Sequence, residues 1–451
     1  MIQDTLHLKA PGNWINDPNG FIFYKGQYHL FYQHFPFAPR WGTMHWGHAT
    51  SPDLVHWQHQ GVALFPTKDY DQNGVFSGSA LEVDGRMQLY YSAVRYRQIN
   101  PEDIHCAGRD DFVTSQAMMI SPDGKEFDNW NAKRQIIPVL TDRAIGDAKH
   151  TRDPKVWKDG DRYYMVLGST DGAQGRLLLY RSEDSFQWEY AGQCASAEFG
   201  WMLECPDLFQ LDGQYFLIGS PMGIPSGPKY HELAMYAPVD FDPASCRLQL
   251  RGPMTCLDWG MDFYAPQTTL DQQGRRVLVA WMRMPRPVPA SEDGRGVWNG
   301  MMCLPRVLSE EKGQLYARPH PNLEKAYCRP VQPGDVDNTR PYRLRATLAE
   351  GEQLDIGGYR IWVEQGCLHT DRSRVFAGCQ GYRLQAATPA LEQPRCRLDI
   401  FVEPNLVEIF VDEGRFVLSS VVYGLEKYLE GTTIESVYAA DPESPRDRSE
   451  S

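Results

Sequence analysis

The chain has 451 residues, 42% of them hydrophobic and 12% aromatic, with a formal net charge of −13. That hydrophobic share excludes a disordered chain, and the length allows two or three domains that each bury a core. The acidic balance argues against nucleic acid or an anionic membrane as a partner, because no basic surplus offsets it.

The ten cysteines are scattered, and none forms a Cys-x-x-Cys pair. Neither a zinc ribbon nor a thioredoxin motif is indicated, and free thiols in a reducing compartment are expected. Residues 1–11 contain no apolar run. No signal peptide and no membrane span are read, so a cytoplasmic location is expected.

In chain order, the first distinctive stretch is Asn13-Trp14-Ile15-Asn16-Asp17-Pro18-Asn19-Gly20. It reads as the end of a loop feeding the strand Phe21-Ile22-Phe23-Tyr24, because Pro presets φ and Asn and Gly tolerate positive φ. A carboxylate on such a turn, flanked by two amides, is held rigidly and suits a nucleophile. The stretch taken alone is better described as an Asx turn with a solvated Asp.

A strand, a polar-glycine turn and a second apolar-aromatic strand recur five times, with the turn glycine at positions 26, 85, 160, 213 and 274. A second strand pair follows several of these around Ser51-Pro52-Asp53, Ser121-Pro122-Asp123 and Ser182-Glu183-Asp184. Two hairpins make a four-stranded blade, so the repeat predicts an all-β, five-bladed β-propeller over 1–315. Residues 97–114 are polar and irregular, and are expected as a rim loop over a pocket or as a subunit contact. Proline-rich sequence marks 316–340 as a linker. Short alternating strands over 341–440 predict a C-terminal β-sandwich, and 441–451 is expected as a flexible tail.

The residues preceding each inner strand carry the chemistry. They are Asn16-Asp17, Phe76-Ser77-Gly78-Ser79, Arg152-Asp153-Pro154, Glu204-Cys205-Pro206-Asp207 and Asp262-Phe263-Tyr264-Ala265-Pro266. Acids at equivalent blade positions converge at one end of the channel. Convergent carboxylates without a metal motif suggest glycoside chemistry, one as nucleophile or base and one as acid. Glu204 follows Trp201-Met202-Leu203, and desolvation is expected to keep it protonated as a general acid. The charge of Arg152 is expected to keep Asp153 ionised, fit to hold sugar hydroxyls. Asp17 fits the nucleophile.

Other features are read as structural. His45 and His48 face opposite sides of a strand, so they are not taken as metal ligands. Trp41, Trp46, Trp57 and Trp281 either stack on sugar or pack between blades, and packing is the default. Arg283, Arg286 and Arg295 read as a solvated loop, with a phosphate site as the alternative.

These motifs resemble glycoside hydrolase family 32, the β-fructofuranosidases. The resemblance rests on residues 14–20, Phe31-Tyr32-Gln33, residues 44–51, Phe76–Ser79, Arg152-Asp153-Pro154, Glu204–Asp207, Asp262–Ala265, Trp298-Asn299-Gly300 and Leu304-Pro305-Arg306, with Leu398–Val402 and Val407–Val411 as closing strands. It implies a retaining glycosidase acting on sucrose, sucrose 6-phosphate or short fructooligosaccharides, with no cofactor and no metal. It implies Asp17 as nucleophile, Glu204 as acid and then base, and Asp153 as transition-state stabiliser. It also implies that Asn16, Gln33, Trp41, Phe76, Ser77, Arg152, Cys205 and Tyr264 line the fructose pocket. A fructosyltransferase and a non-catalytic carbohydrate-binding propeller are the alternatives. Two departures stand out: Leu203 replaces the family's usual Trp before the acid, and the short C-terminal module implies one reduced sheet.

Overall fold

A computed structural model describes residues 2–224, 233–290, 294–431 and 433–440, so the expected tail 441–451 lies outside the described residues. Five sheets follow one another along the chain, and in each the inner strand opens the run of hairpins. The inner strands are Asn13–Tyr24, Gly74–Val83, Arg152–Asp159, Met202–Leu211 and Phe263–Leu270. The first sheet gains Gln3–Thr5 on its outer edge, and Trp298–Asn299 pairs in parallel with Asn13 and Trp14. That last pairing joins late fifth-blade sequence to the first blade and closes the ring. The chain is a five-bladed β-propeller followed by a β-sandwich.

The five turn glycines explain the repeated first hairpin. Gly26, Gly85, Gly160, Gly213 and Gly274 have φ of 80°, 72°, 58°, 84° and 76°, a region that costs other L-residues about 1–2 kcal/mol. The Asp of each Ser-x-Asp unit caps the next turn. Asp53, Asp123 and Asp184 each accept two backbone N–H bonds from residues two and three positions on.

The Asn13–Gly20 stretch departs from expectation. It is not a loop feeding a strand but the first half of the strand Asn13–Tyr24, broken by register shifts at Ile15/Pro18 and Asn19/Ile22. The Pro, Asn and Gly that read as turn formers serve bulges instead. Gly20 has φ 51°, and a Cβ there would meet the Phe31 ring at 2.8 Å.

The same one-residue shift recurs in every inner strand, at Val75/Gly78, Arg152/Lys155, Glu204/Asp207 and Tyr264/Gln267. A bulge bends its strand and re-aims side chains. Three bulges place a non-glycine residue at positive φ: Asp153 at 68°, Cys205 at 49° and Ala265 at 51°. Each of these N–H groups donates to a side chain of the preceding blade, namely Ser92 Oγ (2.8 Å), Asp153 Oδ2 (2.9 Å) and Ser220 Oγ (3.0 Å). Neighbouring blades thus hold one another's bulges in place.

Just past the bulges, polar bonds cross between blades and form a floor. Lys155 Nζ reaches Asp207 Oδ2 (2.8 Å) and Thr268 O (3.0 Å). Gln267 donates to Gly78 O at 2.9 Å and accepts from Phe21 N at 2.8 Å.

The sandwich has a six-stranded and a five-stranded sheet. Two strands of the second, Gln385–Ala387 and Leu429–Gly431, have three residues each. The expected linker is largely built into the two folds. Gln314–Pro319 is the outer strand of the fifth blade, Pro321–Ala326 is a short helix, and Arg329–Pro330 pairs with the last sandwich strand.

One apolar cluster runs from Leu6, Leu8 and Met301 of the propeller to Phe401, Phe410 and Val421 of the sandwich. A buried polar network lies against it. Arg306 bonds Asp258 (2.8 Å), Glu408 (2.6 Å) and Ser419 (2.7 Å), and His7 sits between Glu403 (3.1 Å) and Glu408 (2.8 Å). Those two carboxylates outweigh the burial that would discharge His7, and raise its pKa. All ten cysteines are free thiols.

Candidate active site

The five bulges surround a cavity of about 400 Å³ that contains the carboxylates Asp17, Asp110, Asp153 and Glu204. A larger cavity of about 660 Å³ opens between the first two sheets around His29 and His48. Its carboxylate, Asp123, already caps a turn, so the smaller cavity is the chemical one.

The three acids sit in corresponding bulges but at different places within them. Glu204 is the residue before the shift, Asp153 the next, and Asp17 the one after that, in their respective strands. Equivalent blade positions therefore hold only at the level of the bulge.

Cys205 links all three. It follows Glu204 in the chain, its N–H donates to Asp153 Oδ2 (2.9 Å), and its Sγ lies 3.5 Å from Asp17 Oδ2. Burial pushes its thiol well up, with the Asp17 charge next in size, so the sulfur stays protonated and donates to Asp17.

Asp17 is held by a hydroxyl and a thiol more than by flanking amides. Ser77 Oγ donates to Asp17 Oδ2 at 2.6 Å, whereas Asn19 uses its side chain on Asp17 O and Gly78 N. Asn16 accepts from Trp14 Nε1 at 2.7 Å and pulls the Asp17 pKa down more weakly than Ser77 does. The net direction for Asp17 is upward, from burial first, with the Ser77 bond opposing and Glu204 adding.

The environment expected for Glu204 is corrected. Leu203 is buried and packs in the core between the third and fourth blades, so it does not wall the carboxyl. Strand alternation sends adjacent side chains to opposite faces. Glu204 Oε1 instead takes Arg152 Nη2 at 2.6 Å, and Oε2 accepts from Tyr264 OH at 2.5 Å. Arg152 is thereby turned toward Glu204, and its charge offsets only part of what burial does to Asp153. Burial raises the Asp153 pKa to about 7, with Glu204 and Asp17 adding to it and Arg152 only partly offsetting.

Of the expected binding residues, Asn16, Gln33, Trp41, Phe76, Ser77, Arg152 and Tyr264 line the cavity, and Cys205 lies behind Asp17. Gln33 also bridges the first two blades through Val75 O (3.0 Å). Trp41 is 41% exposed at the mouth, and Trp281 packs edge-on to Trp14 and Tyr264 inside it. Trp46 and Trp57 are core residues. Asp262 faces away, bound to Arg372 and to Val421 N of the sandwich.

Asp110 and Phe112, from the 97–114 segment expected at a rim or a subunit contact, line the cavity. His150, Trp201 and Met222 complete the wall, and sequence reasoning had not placed them in the site. His48 pairs with His29 at 3.0 Å, and His45 bonds Thr43 O at 2.9 Å. The arginines of the 283–295 loop are not simply solvated. Arg295 is buried against Asp4 (2.8 Å), Arg286 lies over Tyr423, and Arg283 lies over Tyr264.

Three carboxyls in corresponding bulges of an aromatic-walled propeller cavity suit a glycoside hydrolase. The sequence profile of the glycosyl hydrolases family 32 N-terminal domain matches residues 7–319, and that of the family's C-terminal domain matches 343–441. The chain belongs to glycosyl hydrolases family 32. It is similar to a sucrose-6-phosphate hydrolase of Escherichia coli, 34% identical over 93% of this chain and 88% of that protein. It is also similar to a raffinose invertase of Escherichia coli, 36% identical over 93% and 89%. Among solved structures, a Bombyx mori family 32 beta-fructofuranosidase mutant in complex with sucrose is 29% identical with a TM-score of 0.76, covering 97% of this chain and 92% of that one.

Proposed function

We propose that this chain hydrolyses terminal β-D-fructofuranosyl bonds of sucrose and short fructooligosaccharides by a retaining double displacement. Asp17 attacks the anomeric carbon of the fructosyl unit while the glycosidic C–O bond breaks. Glu204 gives its proton to the departing oxygen. In the second half, Glu204 takes a proton from water, the water oxygen attacks the same carbon, and the bond to Asp17 breaks. Asp153, titrating near neutrality, holds fructose hydroxyls. Trp14, Trp41, Phe76 and Trp281 offer flat apolar faces to the sugar. The observation that carries this reading is the Cys205 hub, which joins the nucleophile, the stabiliser and the acid in one cluster.

The relatives differ in whether their named substrate carries a phosphate. Among the described residues lining the cavity, Asp17, Asp110, Asp153 and Glu204 face a single guanidinium, Arg152. Arg152 is paired with Glu204, and Lys149 beside the mouth is paired with Asp110 at 2.5 Å. This favours an unphosphorylated leaving group. The ten free thiols favour a reducing, cytoplasmic setting.

The test is fructose release from sucrose, 1-kestose and sucrose 6-phosphate at matched concentration, with transfer products measured alongside. Turnover of the first two is expected, with kcat/KM for the phosphorylated sugar lower by roughly tenfold or more. A preference for sucrose 6-phosphate would overturn the choice of leaving group. Fructose passed mainly to a second sugar would make the enzyme a transferase, and no release from any of the three would leave a binding protein.

A further inference from the structure

His150 lies two residues before Arg152 and lines the cavity, yet it belongs to none of the motifs that marked the site. Its Nδ1 is 3.2 Å from Arg152 Nη1, while Arg152 Nη2 holds Glu204 Oε1 at 2.6 Å. A guanidinium only donates, so Nδ1 accepts and the imidazole is neutral with its proton on Nε2. The ring is fixed from both sides. Trp201 meets it edge-on at 5.1 Å and Phe112 at 6.3 Å. The His150 backbone N–H is anchored on Asp147 Oδ1 at 2.8 Å. One end of the guanidinium is therefore clamped by a rigid acceptor while the other end orients the acid. Burial, with the Arg152 charge second, holds the His150 pKa at about 4, which keeps the acceptor available.

We propose that His150 is a positioning residue for the bond-breaking step, holding Arg152 so that the Glu204 carboxyl faces the departing glycosidic oxygen. The inference rests on Glu204 acting as the acid. It also gives Trp201 a role as the wall that keeps His150 in place, although Trp201 does not directly precede Glu204. A misdirected acid costs most when the leaving group is a poor one, such as a sugar alkoxide, and little when it is a nitrophenolate.

The experiment compares two variants on sucrose and on p-nitrophenyl β-D-fructofuranoside. His150→Phe keeps the ring packing and removes the acceptor, whereas His150→Asn keeps an acceptor and removes the ring. His150→Phe is expected to lower kcat/KM on sucrose by about 30- to 100-fold, mostly in kcat, and on the aryl fructoside by less than about threefold. His150→Asn is expected to recover most of the sucrose activity. Equal losses on both substrates would overturn the inference in favour of a packing role. A loss confined to KM for sucrose would overturn it in favour of direct contact with the sugar. Glu204→Gln must show the same dependence on leaving group. If it lowers kcat/KM, which reports only the first half-reaction, equally on both substrates, the assignment of the acid fails as well. If Glu204→Gln behaves as expected and His150→Phe does not, only the role of His150 falls.

Discussion

Asp17→Asn is expected to abolish fructose release, lowering kcat on sucrose by at least about 10⁴-fold, as loss of a nucleophile does in covalent catalysis. The fold should survive intact. Asn has the same shape, and its amide oxygen still accepts from Ser77 Oγ, which now donates to Asp17 Oδ2 at 2.6 Å. The substitution also removes a buried charge that burial and Glu204 both disfavour, so the melting temperature should be unchanged or slightly higher. Rate and melting curve together make the test decisive. A variant that melts normally and still turns over sucrose within tenfold of wild type would remove Asp17 from the nucleophile role. Asp153 would be a poor substitute, because its carboxylate already accepts from Cys205 N and titrates near neutrality.

Arg306→Leu is expected to have the largest effect on stability, about 3–5 kcal/mol, the usual cost of leaving buried charges without their partner. Arg306 is fully buried between propeller and sandwich, where it pairs with Asp258 and Glu408 and lies 4.6 Å from the Phe263 ring. Its loss strands two carboxylates in the apolar interface. The consequence should reach the site as well. Phe263 immediately precedes Tyr264, whose hydroxyl holds Glu204 Oε2, so residual folded enzyme should also be slower. Urea denaturation checks the first part through a lowered midpoint at unchanged slope. A midpoint within experimental scatter of wild type would show that the network contributes little to holding the two folds together.

Blade number and the catalytic acids are legible in the sequence because both leave local marks. A turn that needs positive φ selects Gly at 26, 85, 160, 213 and 274, and these five glycines count the blades. The Asn16-Asp17, Arg152-Asp153 and Glu204-Cys205 pairs are legible because each bulge gathers unusual residues into a few positions. The bulges themselves are not legible. Pro18 and Gly20 have the chemistry of a turn, and only the partner strand Gln27–Phe35 shows that pairing continues on both sides of them.

Side-chain direction is not legible from sequence neighbours. Sequence neighbours suggested that Leu203 desolvates Glu204 and that Arg152 serves Asp153. Adjacent residues on a strand face opposite ways, so Leu203 went to the core, and Arg152 reached across to the next blade. Asp262 was pulled the other way by Arg372, a residue 110 positions later in the chain. His150, Trp201 and Met222 had no signal of their own, because their place in the wall depends on how the third and fourth blades stand side by side.

In the proposed mechanism Asp17 carries a covalent fructosyl group, which Glu204 helps to form and then to release. Glu204→Gln incubated with p-nitrophenyl β-D-fructofuranoside separates the two halves, since the good leaving group departs without an acid while hydrolysis still lacks its base. After an acid quench and proteolysis, mass spectrometry of the peptide containing Asp17 should show a fructosyl adduct on that residue. Release of nitrophenol with no adduct, or an adduct on a different carboxylate, would contradict the account.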